Sequence, residues 1–353
     1  MKLKLFTLAA AAAMVAACTA NASDRYTVTA KVPENFDGLM AYLVNFDTGE
    51  KIDSTAVKGT TATFEGSVAA PTLARLIIDG NRIAQFALEN APIAVDNGTA
   101  TGSDLNKRIQ DIMRRRGDFE AKFRAMAPDS TGEPARQAIM EAYEAYTDSI
   151  FRANANNLIG YQIFLERAYG MDLDQLKAAL AENPGLKQYT RVGKLLTAAQ
   201  NKAATQPGNK FVDFTIKNDS ITQSLSDYVG KGKPVLVDFW ASWCGPCIRE
   251  TKVIKQLLEE WGPKGFEVLG VAVWDEPDNT RRAIERHKLP WPQIINAQTV
   301  PTDLYGITGI PTILIIGPDG TILSRDKQDD ELRADVKAVM EGTLTPDSLK
   351  VQK

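Results

Sequence analysis

The spacing of hydrophobic and polar positions changes twice along this chain. Over residues 26–97 apolar side chains recur at every second position in 26–31, 39–44, 62–68, 73–78 and 83–88, with Asp-Thr-Gly at 47–49 and Asp-Gly at 79–80 as turns between them. Short alternating runs at this interval predict an all-β, sandwich-like domain over residues 26–100. No catalytic constellation falls within it.

From 103 to 204 the period becomes helical. Leu105, Ile109, Ile112, Phe119, Phe123 and Met126 fall on one stripe. Residues 130–133 (Ser-Thr-Gly-Glu) have the form of a capping box, with Pro134 in the first turn of the next helix. That helix places Ile139, Tyr143, Tyr146 and Ile150 on one face, and further helices are expected over 158–168, 173–181 and 188–202. The aromatic stripes read as core. The Arg114, Arg115, Arg116 run reads as a solvated face, since acidic residues flank it. The helical segment spans 101–205 and ends at Gln206-Pro207-Gly208, a linker.

Over 206–345 strands and helices alternate. Strands are expected at 211–216 (before a turn at Asn218-Asp219), 235–240, 266–274, 311–316 and 321–324. Helices are expected at 248–260 and 278–287, and a last amphipathic helix on Leu332, Val336 and Val339. This alternation predicts an α/β sheet with helices on its faces. The fold class is therefore multidomain: an all-β domain, a helical middle and a C-terminal α/β domain.

A length of 353 residues fits two or three domains, and 44% hydrophobic residues are enough for full cores. With 41 basic and 44 acidic residues the net charge is −3, which lacks the basic surplus of nucleic-acid binding. The N-terminus is an address. Lys2 and Lys4 precede an alanine-rich apolar run over 5–17, shorter than the roughly 20 residues of a spanning helix, so 1–17 reads as an export signal. Its end, Val-Ala-Ala-Cys at 15–18, resembles the bacterial lipobox. That resemblance implies that Cys18 is lipidated and becomes the mature N-terminus, with 18–25 as a tether to the membrane. The alternative is an ordinary signal with Cys18 incidental. Thr19, rather than Asp, favours the outer over the inner membrane by resemblance to known sorting preferences, on a protein facing the periplasm.

Three cysteines are present: Cys18, Cys244 and Cys247. With Cys18 lipidated, an exported chain has placed its other two within one helical turn, which points to chemistry rather than a structural bridge. The pair stands where a buried strand ends and a helix begins. Free N–H groups and the dipole at a helix start favour a thiolate, and the thiolate is the form that attacks disulfides. Zinc needs about four ligands, and two thiols with the single His287 do not supply them. Covalent haem needs Cys-x-x-Cys-His, but Ile248 follows Cys247. A thiol peroxidase wants Pro and Thr seven and three residues before its cysteine, where Val237 and Ala241 stand.

The stretch 235–247, Val-Leu-Val-Asp-Phe-Trp-Ala-Ser-Trp-Cys-Gly-Pro-Cys, closely resembles a thioredoxin active site. Gly309-Ile310-Pro311-Thr312 matches the family's cis-proline loop, with Pro311 64 positions after Cys247. Leu-Ser-Asp-Tyr-Val-Gly-Lys at 225–231 is similar to the TlpA-like branch of envelope thiol:disulfide oxidoreductases. The resemblance covers about 211–342 and implies a thioredoxin fold there. It implies that Cys244 attacks and Cys247 resolves, that buried Asp238 relays a proton to or from Cys247, and that Gly245 and Pro246 accompany reducing behaviour. Trp243 would shield the disulfide and contact partners, and a cis Pro311 would present the Ile310 backbone to substrate. No lysine occurs over 267–274, where thioredoxins place one near the acid, which implies a further raised pKa for Asp238.

These features predict a lipid-anchored periplasmic reductase or isomerase that needs no bound cofactor. Its partners would be disulfide-containing envelope proteins, apocytochrome c among the candidates, and a membrane electron-transfer protein as reductant. The alternatives are a non-catalytic scaffold lipoprotein that docks partners and, less well supported, a thiol peroxidase.

Overall fold

The computed structural model describes residues 24–127, 129, 131–218 and 221–350. The signal at 1–17, Cys18 with most of its tether, Ser130 of the expected capping box and Asp219 of the expected turn lie outside the described residues. The chain divides into two compact units, 1–164 and 165–353.

In the first unit the strands are β1 (Tyr26–Lys31), β2 (Met40–Asn45), β3 (Lys51–Ala56), β4 (Thr61–Gly66), β5 (Thr72–Ile78), β6 (Asn81–Leu88), β7 (Pro92–Asp96) and β8 (Thr99–Thr101). They form two four-stranded sheets, ordered β4-β1-β7-β8 and β3-β2-β5-β6. Alternate residues of both, among them Val28, Ala30, Leu43, Phe64, Leu76, Phe86 and Val95, enter one buried cluster. Three of these strands were not expected from the sequence, each for a physical reason. β3 (Lys-Ile-Asp-Ser-Thr-Ala) is a polar edge strand with no buried residue, β7 opens on a proline, and β8 has three residues.

Three helices follow: α1 (Asp104–Arg124), α2 (Glu133–Asn154) and α3 (Leu158–Ala168). Ser103 caps α1, its side chain accepting the Asn106 N–H. The buried Asn106 carboxamide in turn bonds both the N–H and the C=O of Ala87 in β6, which fixes where α1 leaves the sheet. Phe119 packs 5.9 Å from the Tyr143 ring and 5.8 Å from Tyr146. The arginine run is only partly a solvated face. Arg114 pairs with Asp111, but Arg115 lies over the Tyr146 ring and Arg116 donates to the Tyr143 hydroxyl.

In the second unit, α4 (Leu173–Glu182) and α5 (Thr190–Ala204) precede a hairpin of β9 (Thr215–Asn218) and β10 (Ile221–Ser224). Then come β11 (Val235–Trp240), α6 (Gly245–Trp261), β12 (Glu267–Ala272), α7 (Pro277–His287), β13 (Gln293–Ile294), α8 (Val300–Tyr305), β14 (Thr312–Ile316), β15 (Ile322–Arg325), α9 (Asp329–Met340) and α10 (Pro346–Lys350). The five-stranded sheet runs β13-β12-β11-β14-β15, with β11, β12 and β13 parallel and β14 antiparallel to β11. All six residues of central β11 are buried, as a strand covered on both faces requires. Val235, Val237 and Phe239 enter one core, while Leu236 and Trp240 enter another with α6 and α9. The expected strand over 211–216 is displaced: the ladder begins at Thr215, and the N–H groups of Phe211 and Val212 bond Gly320 O and the Tyr305 hydroxyl instead.

Candidate active site at the start of α6

Cys244 is the N-cap of α6, which begins at Gly245, three residues earlier than the apolar pattern alone places the helix start. Pro246 explains the difference. In the first turn its missing N–H costs no helical bond and its fixed φ suits the helix. Cys244 and Cys247 are joined as a disulfide, with Cα atoms 5.3 Å apart. The Cys247 N–H donates to Cys244 Sγ at 3.2 Å. On reduction that N–H and the helix dipole face the sulfur that must carry negative charge. Both cysteines are buried, whereas Gly245 and Pro246 between them are exposed.

The strand that leads to the pair carries a buried acid. Asp238 is 1% exposed, in the middle of β11, on the strand face shared with Leu236 and Trp240. Its Oδ1 has no hydrogen-bond partner among the described residues. Burial first, and the neighbouring Glu250 second, push its pKa up to about 8. Glu250 lies one turn beyond Cys247, on the buried stripe of α6 that continues through Thr251, Ile254 and Leu257. Burial raises its pKa too, opposed by the Asp329 N–H, which donates to Glu250 Oε1 at 3.0 Å from the start of α9.

The approach to the disulfide is framed by two further elements. Trp243 is 62% exposed, its indole N–H held by Trp274 O at 2.9 Å. The Ile310–Pro311 peptide is cis, and Ile310 packs against the cluster that contains Cys244 and Cys247. The structure therefore gathers Cys244, Gly245, Pro246, Cys247 and Ile310–Pro311 at one end of the sheet, with Trp243 directed outward. His287 is the last residue of α7.

Three contributors went unnoticed in the sequence. Glu250 could have been found from the 247, 250, 251, 254 spacing, which turns it inward. Asp275, after β12, is buried and accepts from Ser242 and Thr280. Gln293 in β13 accepts from the Trp240 indole N–H at 3.0 Å. The last two carry no local signal for the site, because the partners that tie them to it, Ser242 and Trp240, are distant in sequence.

A model of the AhpC/TSA family matches residues 207–325, and a domain of unknown function, DUF4369, matches 26–108. The thiol-disulfide oxidoreductase ResA of Geobacillus thermodenitrificans is 30% identical over 150 residues, which make up 42% of this chain and 77% of that protein. The chain belongs to the thiol-disulfide oxidoreductases. The protein of the same name from Oceanobacillus iheyensis is 30% identical over 148 residues, 40% of this chain and 69% of its own. A thiol:disulfide interchange protein from Bacteroides sp., solved in solution, is 30% identical, covers 39% of this chain and 93% of its own, and has a TM-score of 0.35. The C-terminal domain of this thiol-disulfide oxidoreductase has a thioredoxin fold. Among the described residues no helix is long and apolar enough to cross a membrane.

Proposed function

We propose that this oxidoreductase is a lipid-anchored, periplasm-facing enzyme that reduces or isomerises disulfides of envelope proteins, with apocytochrome c among its candidate substrates. The Cys244 thiolate attacks a substrate disulfide, forms a mixed disulfide and expels one substrate thiolate. Cys247 then attacks the Cys244 sulfur, closes the Cys244–Cys247 bond and releases the second substrate thiolate. Two electrons leave the dithiol. Asp238, with Glu250 beside it, takes the proton that Cys247 sheds, a task suited to a buried acid whose pKa lies near that of a thiol. Trp243 and the Ile310–Pro311 loop form the docking edge for substrate. A membrane electron-transfer protein would return two electrons and two protons to the dithiol. The lipid anchor is Cys18.

The observation that carries this reading is a disulfide-bonded cysteine pair at a helix N-terminus, with a fully buried acid, Asp238, on the strand that leads into it. Gly245 and Pro246 between the cysteines favour the reducing direction by resemblance. Thioredoxin lies near about −270 mV and a strong oxidant near about −120 mV, so a measured potential above roughly −150 mV would overturn that direction. Insulin reduction tests the chemistry. Cys244→Ser should abolish it, and Cys247→Ala should accumulate mixed disulfides with envelope proteins that mass spectrometry identifies. A wild-type rate in Cys244→Ser sinks the reading. Incorporation of a palmitate analogue, lost in Cys18→Ser, tests the anchor.

A further inference from the structure

Asp238, Gly270 and Gln293 stand side by side across three strands. Asp238 of β11 is in register with Gly270 of β12, and Gly270 with Gln293 of β13. In-register neighbours project to the same face, and adjacent strands lie about 4.8 Å apart. Gly270 leaves an empty place between the other two, and Gln293 fills it. A Cβ at position 270 would stand within 2.7 Å of all three terminal atoms of the Gln293 carboxamide. The amide thus folds across Gly270 toward β11. Its orientation is fixed from β11 as well, since Trp240, two residues from Asp238 on the same face, donates to Oε1. A donor needs an acceptor, so Oε1 faces Trp240 and Nε2 is left over. Nε2 is buried without a hydrogen-bond partner among the described residues, and so is Asp238 Oδ1. A buried donor and a buried acceptor, both unmatched, therefore occupy neighbouring places on one sheet face. A buried polar group left unpaired is costly, so their pairing is favoured once Asp238 carries charge.

We propose that Gln293 is a positioning residue for the Asp238 proton relay, its Nε2–H serving as the donor that meets the Asp238 carboxylate, directly or through one water. The inference rests on the relay reading above. It gives this chain a neutral amide, held by a tryptophan, where the adjacent strand offers no cation. The charged groups acting on this site are Glu250 from α6 and, behind it, Asp329 and Arg333 from α9. The register partners of Asp238 on β12 and β14, Gly270 and Ile313, are uncharged.

The test is the pH profile of insulin reduction by the full-length protein. If Asp238 accepts the Cys247 proton, the rate rises with pH through its ionisation, and Asp238→Asn removes that limb. Gln293→Met keeps the shape and deletes the donor, so the limb should move up by about one pH unit, a tenfold loss of rate at fixed pH on the limb. Gln293→Glu keeps the acceptor for Trp240, adds a like charge, and should move it the same way. If Gln293→Met fails to fold, Gln293→Glu decides. A merely structural role would let water in and move the limb down, which overturns the proposal, as does an unmoved limb in the variants. A pH profile that Asp238→Asn leaves unchanged, with only the limb of Cys244 thiolate formation in both proteins, removes the relay reading itself and the Gln293 proposal with it.

Discussion

Asp275 accepts both the backbone N–H of Ser242, at 2.8 Å, and its hydroxyl, at 2.9 Å. One carboxylate thus grips the loop two residues before Cys244. The same group takes the Thr280 hydroxyl at 2.7 Å from α7, and its backbone carbonyl takes the Gln298 amide at 2.8 Å. Asp275 therefore ties the end of β11 to the α7 side of the sheet. Asp275→Ala leaves the half-buried N–H and hydroxyl of Ser242 without their acceptor and the Thr280 hydroxyl with only Glu276 O at 3.3 Å, and should cost about 1–3 kcal/mol in urea unfolding. It should also slow insulin reduction, because the N-cap cysteine loses its fixed approach. Asp275→Asn keeps one acceptor oxygen and should fall between. A loss below about 0.5 kcal/mol in Asp275→Ala, the level of an ordinary surface change, would show that the clasp carries no stability.

Legibility in the sequence followed the range of the interactions. β1 matches its expected span to the residue because alternation is a local signal that burial on one face enforces. The cysteine pair and Pro311 stand out because resemblance reads motifs. The strand expected at 211–216 was misplaced because the backbone of 211 and 212 bonds Gly320 and Tyr305, about a hundred residues away, rather than a ladder neighbour. β3 was missed because an edge strand buries little and needs no apolar residues. The chemistry divided in the same way. Asp238 was evident as an acid inside an apolar run, whereas Glu250 is placed inward by its helical spacing but meets its partner, the Asp329 N–H, only when α9 closes over it. Asp275 and Gln293 gain meaning only from strands and loops brought together by folding.

Arg325 joins the last helix before the linker to the α/β sheet. Its guanidinium donates to Tyr305 O at 2.8 Å and to Thr205 O at 3.1 Å, with the Thr205 hydroxyl also in reach. Burial is the main influence on this group and lowers its pKa, while Asp326 opposes the shift. Arg325→Met fills similar volume but takes the guanidinium donor from Thr205 O and leaves Tyr305 O only the Thr205 hydroxyl at 3.3 Å, and should cost about 2–3 kcal/mol. The loss should appear as a lower unfolding midpoint. The redox potential of the cysteine pair should stay at the wild-type value, since no bond of Arg325 reaches the site. An unchanged midpoint would mean that water replaces the guanidinium at no cost.

Asp238 makes stability depend on pH with a definite sign. Its folded pKa of about 8 lies above the unfolded value of about 4, so between them the folded state holds a proton that the unfolded state has released. Stability from this group is complete below about pH 4 and falls as pH rises through about 8, by at most about 1.4 kcal/mol per unit and on the order of 5 kcal/mol in all. Glu250 shifts the same way and adds to the slope at the acid end. Asp238→Asn replaces the acid with a group that does not titrate, so its unfolding free energy should fall less steeply over this window. The difference between the two proteins should be constant below pH 4, change steadily to pH 8 in favour of the variant, and level off above. Urea unfolding of the oxidised proteins at closely spaced pH values measures it. Parallel curves for wild type and variant would mean that Asp238 ionises in the folded protein as it does in water, and would remove the physical basis for its part in the proton transfer.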